Sequence, residues 1–413
     1  MANLVTHPRT LFDKIWDAHV VQPLADGWDL LHIDRHLLHD LSGTAGLREL
    51  AERGLAVRNP ELTFATPDHA VSSAPGRTGE TFPGGAHLYR GLKELTRGSG
   101  IRLFDLGEPG QGIVHVMGPE LGLVQPGMTL ICGDSHTCTH GALGAIAFGV
   151  GSSELTHALA SQTLVLRRPS TLRVWFDGML GPGVEAKDLA LAMIGQLGAS
   201  AGNGPAVEYV GDAVSAMDIE QRMTLCNLSI ELGARIGLVA PDDKTVAYLR
   251  DKPFGPKEEA FAQAAAHWQS LLGDPGARHA QEARVDVSVI APTLTWGISP
   301  EHAMAVDGRV PHPADAAHTA QRQAWQSALD YMDLTPGLLL EGTRVDRVFI
   351  GSCTNSRLSD LRHAAKLIGK RRVASHVRAW VVPGSENVKR AAQAEGLDQI
   401  FRAAGFEWRE PGC

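Results

Sequence analysis

A carboxylate, a hydroxyl and two imidazoles crowd into one short run, Asp134-Ser135-His136 followed by Thr139-His140-Gly141. The members of a Ser-His-Asp relay have to face one another, which adjacent residues rarely do, so the run reads as an orienting or proton-handling cluster. Asp68-His69 is a shorter signal of the same kind. Alone it fits a turn with a helix cap better than an acid–base pair, and its weight comes from its company. Cys353 stands in GSCTNSR, between the strand-like VDRVFI and the helical pattern RLSDLRHAAKLI. The positive end of a helix dipole there favours the thiolate that metal ligation or nucleophilic attack needs, while a small buried residue in a tight turn is the plainer alternative. Asn227 and Glu231 in CNLSIELGA are four apart, which on a predicted helix puts both on one face. The apolar Leu225, Leu228, Ile230 and Leu232 around them leave Glu231 partly buried, so a functional carboxylate and a solvated helix face weigh about evenly.

The elements that position these residues repeat one plan: a short β-rich run, a loop of Gly, Ser, Thr, Asp or Asn, then an amphipathic stretch. That alternation predicts α/β architecture. Three such runs, 62–66, 128–132 and 345–350, precede Asp68-His69, GDSHTCTH and GSCTNSR. Ligands in open α/β sheets bind at the carboxyl edge of the strands, so the three loops are expected to converge on one site. Pro, Gly and charge between 252 and 285 predict a flexible boundary. A weaker break follows SQTLVLRRPST, where Arg and then Pro read as a helix stop near 167–171. The resulting division is 1–168, 169–285 and 286–413.

Length and charge narrow the function classes. At about 100 to 200 residues per domain, 413 residues make two to four units. An apolar share of 44% and a charged share of 20% set disorder and small disulfide scaffolds aside. The net charge of −8, from 38 basic and 46 acidic residues, provides no basic field for nucleic acid. The N-terminal run has neither a secretory pattern nor an Arg-rich transit pattern, which makes the cytoplasm the expectation. No apolar stretch approaches the roughly 20 residues of a membrane span. Five widely spaced cysteines argue for metal ligation or plain burial over a disulfide framework.

Taken in order, HIDRHLLHD, the Asp68-His69 pair, GDSHTCTHGALGAIAFGVG, MTLCNLSIELGA, FIGSCTNSR, VVPGS and FEWREPGC resemble the aconitase superfamily and, within it, the large subunits of 3-isopropylmalate dehydratases. The resemblance runs from near residue 32 to the last residue. It implies a three-lobed α/β/α fold around a central [4Fe-4S] cluster held by three cysteines, whose open iron acts as a Lewis acid on a leaving hydroxyl. By the motif, Cys353 and Cys413 match the first two ligands. The third is expected three residues beyond Cys413, where this sequence has ended, which implies either a shortened chain or one that does not hold a stable cluster alone. Cys132, Cys138 and Cys226 do not match a ligand position.

The same resemblance implies catalytic roles for Asp68, His69, Asp134, His136 and Glu231, which bind or protonate the departing hydroxyl and orient iron-bound water. Ser135, Asn227 and His39 match substrate-side contacts, and Ser352 and Asn355 match donors to cluster sulfurs, with a helix cap as their alternative. The implied reaction takes water from a 2-hydroxy dicarboxylate and returns it with hydroxyl and hydrogen exchanged, as in 2- to 3-isopropylmalate in leucine biosynthesis. The proton-abstracting serine belongs to a swivelling domain absent from this sequence, so a separate small subunit is the expected partner. Related dehydratases of methylmalate, citraconate or homocitrate share these residues. A cluster-free binding protein and a Cys353 thiol enzyme using His136 as base are the alternatives outside that chemistry.

Overall fold

The structure, a computed structural model, describes residues 7–351 and 354–413. Its largest sheet has five parallel strands in the order Arg102–Leu103, Thr63–Thr66, Arg35–His39, Thr129–Cys132, Ile146–Gly149. The strands at 63–66 and 129–132 are wholly buried, as parallel strands covered on both faces should be. They flank Arg35–His39 directly, so the loops that leave all three at their carboxyl ends are neighbours. That adjacency is what brings Asp68-His69 and Asp134 together.

An antiparallel ribbon of Val20–Pro23, Trp28–His32 and Thr163–Arg167 lies beside this sheet. The last of these strands corrects the expected helix stop at 167–171. The helix Ser152–Ser161 ends instead at Gln162, in the left-handed region at φ 64°, and Leu164 and Leu166 then alternate inward with strand period. The Arg residues read as a last helical turn belong to the outer face and end of a strand.

A second sheet, parallel throughout, runs Gly237–Leu238, Ala206–Val210, Thr171–Asp177, Gln281–Asp286. Its last strand and the helix Glu258–Ser270 occupy the stretch expected to be a flexible boundary. Phe261 and Trp268 on that helix are buried in the main core, so the segment is packed secondary structure despite its Pro, Gly and charge. A third sheet of Arg347–Ile350, Arg378–Val381 and Phe406–Trp408 is also parallel.

The helix Val114–Leu121 joins the first and third sheets. Val114, Met117 and Leu121 pack into the main core, whereas Ile113 and Val116 pack with Val381 of the third sheet and with Leu361 and Phe401 on the helices that cover it. Backbone bonds reinforce the joint: Ile113 N–H donates to Gly384 O (2.8 Å), and Gly384 N–H to Ser356 O (2.9 Å). Among the described residues no helix is long and apolar enough to cross a membrane.

Gly141, on the 3-10 helix Ser135–Leu143, passes close against Gly237 of the second sheet. A Cβ there would lie 1.7 Å from Gly237 O. Gly141→Ala should therefore destabilise the chain by about 1–3 kcal/mol. A Cβ at Gly98, near the end of the helix Ala86–Ser99, would meet nothing within 4 Å, so Gly98→Ala should be neutral or stabilising by up to about 1 kcal/mol. Calorimetric melting of the two variants side by side checks the contrast, and equal melting would refute it.

Candidate active site

The Asp134 carboxylate lies among three imidazoles. Its Oδ2 is 2.9 Å from His69 Nε2, and its Oδ1 is 3.1 Å from His115 Nε2 and 3.5 Å from His136 Nδ1. It also caps the 3-10 helix Ser135–Leu143 by accepting from His136 N–H at 2.7 Å. Burial alone would push this carboxyl up, but hydrogen bonds from His115, His136 and His69 hold it far below the usual carboxylate range.

Asp68, fully buried, extends the chain of charges. Its Oδ1 pairs with His69 Nδ1 at 2.5 Å, and its Oδ2 accepts from Val114 N–H at 2.8 Å, at the N-terminus of the helix that carries His115. Burial raises the Asp68 carboxyl, yet the His69 charge and hydrogen bond outweigh it and keep it lowered. His69 is thus held at both ring nitrogens by carboxylates. Burial pulls its value down, and the charge of Asp68 with the hydrogen bonds to Asp134 and Asp68 raise it to about 11.

Two supports lie beneath this pair. Asp40, fully buried, accepts from the backbone N–H groups of Asp68 (3.3 Å), His69 (2.9 Å) and Ala70 (2.6 Å), so one carboxylate fixes the whole Asp68-His69 turn. Burial and then the charge of Asp68 raise its carboxyl. His39, expected as a substrate-side contact, is 1% exposed and stacks on His69 with ring centroids 4.0 Å apart. It sits behind His69 because strand Arg35–His39 is central in the sheet. Burial lowers its value, so a neutral ring backs a charged one.

His136 also faces Glu231, with Nε2 3.6 Å from Oε1. This pair is the more open one, with side chains 22% and 39% exposed. Glu231 and Asn227 do not share a helix face. The helix Ile219–Asn227 stops at Asn227, and Glu231 lies on the separate 3-10 turn Ile230–Leu232, ended by Gly233 at φ 96°. Ser229 between them is tied to the Tyr209 hydroxyl at 2.8 Å, which bends the chain away from helical continuation. Asn227 is buried and donates to Thr139 Oγ1 at 3.2 Å, bracing the 3-10 helix Ser135–Leu143. Ser135 is exposed and lines a cleft of about 250 Å³ with Asp134, Ile230 and Arg235.

Cys353 and Ser352 lie outside the described residues. Asn355 donates to Thr224 Oγ1 at 2.9 Å, which links its loop to the helix Ile219–Asn227; it does not cap the helix Leu358–Ile368. Cys413 is exposed, and its backbone N–H donates to Asp68 O at 2.8 Å, so the last residue rests on the Asp68-His69 turn. Cys132, Cys138 and Cys226 are buried, and burial raises all three thiols, Cys138 to about 12. Such thiols stay protonated, which leaves Cys413 as the described cysteine whose exposure and position suit ligation of a metal cluster.

Sequence reasoning missed His115 and Asp40. His115 is a lone imidazole in the apolar VHVMGPEL, with no polar neighbour to mark it. Asp40 follows RHLLH, and the strand-then-polar signal that marks the other loops points to it as well.

The His69 pairing has a definite pH signature. Its folded value lies above the roughly 6.5 of a free imidazole, so the stabilisation it gives is complete below about pH 6.5 and is lost as pH rises through about 11. Proton NMR of the histidine rings should find His69 charged and non-titrating from about pH 6 to 9, and Asp68→Asn should bring its titration down into that window. A parent His69 that titrates near neutrality would contradict the pairing.

Comparison with known proteins shows the family. A profile of the Aconitase family (aconitate hydratase) matches residues 13–413. The chain is 60% identical over 408 residues, 99% of its length and 85% of the relative's, to 3-isopropylmalate dehydratase large subunit 1 of Bradyrhizobium diazoefficiens. It is 51% identical over 411 residues, 98% of its length and 87% of the relative's, to the 3-isopropylmalate dehydratase large subunit of Roseiflexus castenholzii. Aconitase X of Thermococcus kodakaraensis, in its holo-form crystal structure, aligns over 93% of this chain and 79% of its own at 15% identity and a TM-score of 0.47, too loose a likeness to argue from. With nearly its whole length matched, the chain belongs to the aconitase family.

Proposed function

We propose that this chain is the large subunit of a hydro-lyase that interconverts 2-isopropylmalate and 3-isopropylmalate by removing water and adding it back with hydroxyl and hydrogen exchanged. One observation carries the proposal: a chain 60% identical over 408 residues to a protein of that name gathers Asp68, His69, Asp134, His136 and Glu231 into one connected carboxylate–imidazole chain. The large-subunit name of both relatives implies a separate small subunit.

A family iron–sulfur cluster, held by Cys353, Cys413 and one further cysteine, would supply a Lewis acid that weakens the carbon–hydroxyl bond. The chain's own residues do the rest. His136 and Glu231, the most accessible pair, exchange the proton that leaves with the hydroxyl and returns with it. His69, kept cationic by Asp68 and Asp134, offsets the negative charge that a dicarboxylate brings into a site already rich in carboxylates. His39 and Asn227 hold the rings and the 3-10 helix in place, and Ser135 contributes a hydroxyl at the open rim. Ser352 and Asn355 flank Cys353 and would donate hydrogen bonds to sulfurs of the cluster. The division of the chain into 1–168, 169–285 and 286–413 belongs to the same proposal, with the site where the three parts meet.

The test is isomerisation of isopropylmalate by the chain assembled with its small subunit, with methylmalate, citraconate and homocitrate as competitors for the assignment. Glu231→Gln should lower turnover about 100-fold without changing bound iron. Cys353→Ser should abolish iron uptake on anaerobic reconstitution and leave the circular dichroism unchanged. Loss of iron in Glu231→Gln would make Glu231 structural, and full activity in Cys353→Ser would remove the ligand assignment.

A further inference from the structure

His140 has no assigned task, yet it is fully buried directly behind the site. Its Nε2 lies 3.1 Å from Nδ1 of His115, with the two rings edge to face at 61° and centroids 5.1 Å apart. His115, also fully buried, turns its other nitrogen, Nε2, toward Asp134 Oδ1 at 3.1 Å, close but off the line of an ideal hydrogen bond. The pocket for the second ring is built by its neighbours. A Cβ on Gly118, one turn along the helix from His115, would come within 3.2 Å of His140 Cε1 and 3.1 Å of Leu37 Cδ1.

One contact between two ring nitrogens holds one hydrogen, so one imidazole donates and the other accepts. Burial, the largest cause, pushes His140 well below the ordinary imidazole value, and the charge of Arg357 pushes the same way. His140 is therefore neutral and carries a single N–H. If that hydrogen were on Nδ1, which has no hydrogen-bond partner, a buried donor would be orphaned. Nε2 would then have to accept from His115 Nδ1–H, and a neutral His115 would turn a lone pair toward the Asp134 carboxylate. With the hydrogen on Nε2 neither the orphaned donor nor the lone pair aimed at Asp134 arises, and what stays unpartnered at Nδ1 is an acceptor only.

We infer that His140 is a positioning residue: its Nε2–H donates to His115 Nδ1 and so fixes His115 as the tautomer whose Nε2–H faces Asp134. A tautomer fixed in this way makes His115 a constant donor to the carboxylate that also holds His69 and His136. The consequence for turnover rests on the proposed dehydratase function; the tautomer itself does not.

Long-range 1H–15N spectra of the full chain labelled at histidine nitrogen, with His115 identified by the signals lost in His115→Gln, read the tautomer directly. The parent should show His115 protonated at Nε2 and bare at Nδ1. A hydrogen on Nδ1 in the parent overturns the inference, whether or not any variant folds. His140→Ala should leave His115 averaging between tautomers and lower kcat at least about tenfold with KM unchanged, a fraction of the ~100-fold that a positioned acid–base group supplies. His140→Gln, which keeps an N–H donor near the position of Nε2, should restore most of both. Identical His115 spectra in His140→Ala and the parent would also overturn it. Expected spectra in a chain that does not isomerise isopropylmalate would support His140's role and remove the dehydratase reading instead.

Discussion

Three imidazoles meet at the Asp134 carboxylate, and Asp68 and Glu231 join it through His69 and His136. Three imidazoles brought together without it would repel one another or lose their protons, and burial would favour the loss. Asp134 accepts from the segment that begins its own 3-10 helix, and its oxygens lie 2.9 Å from His69 of the Asp68-His69 turn and 3.1 Å from His115 of the helix Val114–Leu121. One buried anion thus links three stretches of chain far apart in sequence. Its low pKa and their positions have the same cause, because each imidazole that stabilises the carboxylate is also fixed by it.

That arrangement explains why the helix Val114–Leu121 is placed as it is. Its N-terminus takes the Asp68 carboxylate, its second residue supplies His115, and its two faces pack into different cores. A negative group at a helix N-terminus is favourable, and Asp68 gains that interaction while also pairing with His69. The helix is eight residues long, too short to be stable alone, so tertiary packing on both sides has to hold it. A shift between the first and third sheets would therefore move His115 against Asp134. The site senses the packing of the whole chain through this one element.

Much of the site could be read from sequence because polar loops at the ends of β-rich runs stand out. Asp68, His69, Asp134 and His136 all follow such runs, and the sheet order makes the loops adjacent. His115 could not be found in this way, since its signal lies in three-dimensional neighbours and its own sequence is apolar. The Asn227–Glu231 face failed for a related reason. A spacing of four implies a shared face only while the helix continues, and the Ser229–Tyr209 bond and the left-handed Gly233 end it. At 163–167 the inward alternation of Leu164 and Leu166 is the stronger signal, and the following Arg and Pro, which suggest a helix stop, mask its period of two. Charge and Pro between 252 and 285 likewise say little about order when Phe261 and Trp268 lie on the buried face of the same helix.

The histidines show how closely environment, and not residue type, sets charge. His39 and His140 are buried without an aligned carboxylate partner, and both are pushed toward the neutral ring. His69 is stacked on His39 at 4.0 Å, yet two carboxylates aimed at its nitrogens reverse the effect of burial and keep it charged. Separating neighbouring titratable groups in this way is how one site can hold a donor, an acceptor and a fixed charge at the same pH. Asp40 belongs to the same scheme. Three backbone N–H groups hold it beneath the turn, and its carboxyl is raised because it is buried beside an Asp68 that is already charged. Spreading the charge over imidazoles on one side and backbone N–H groups on the other is what allows so many acids to stay buried together.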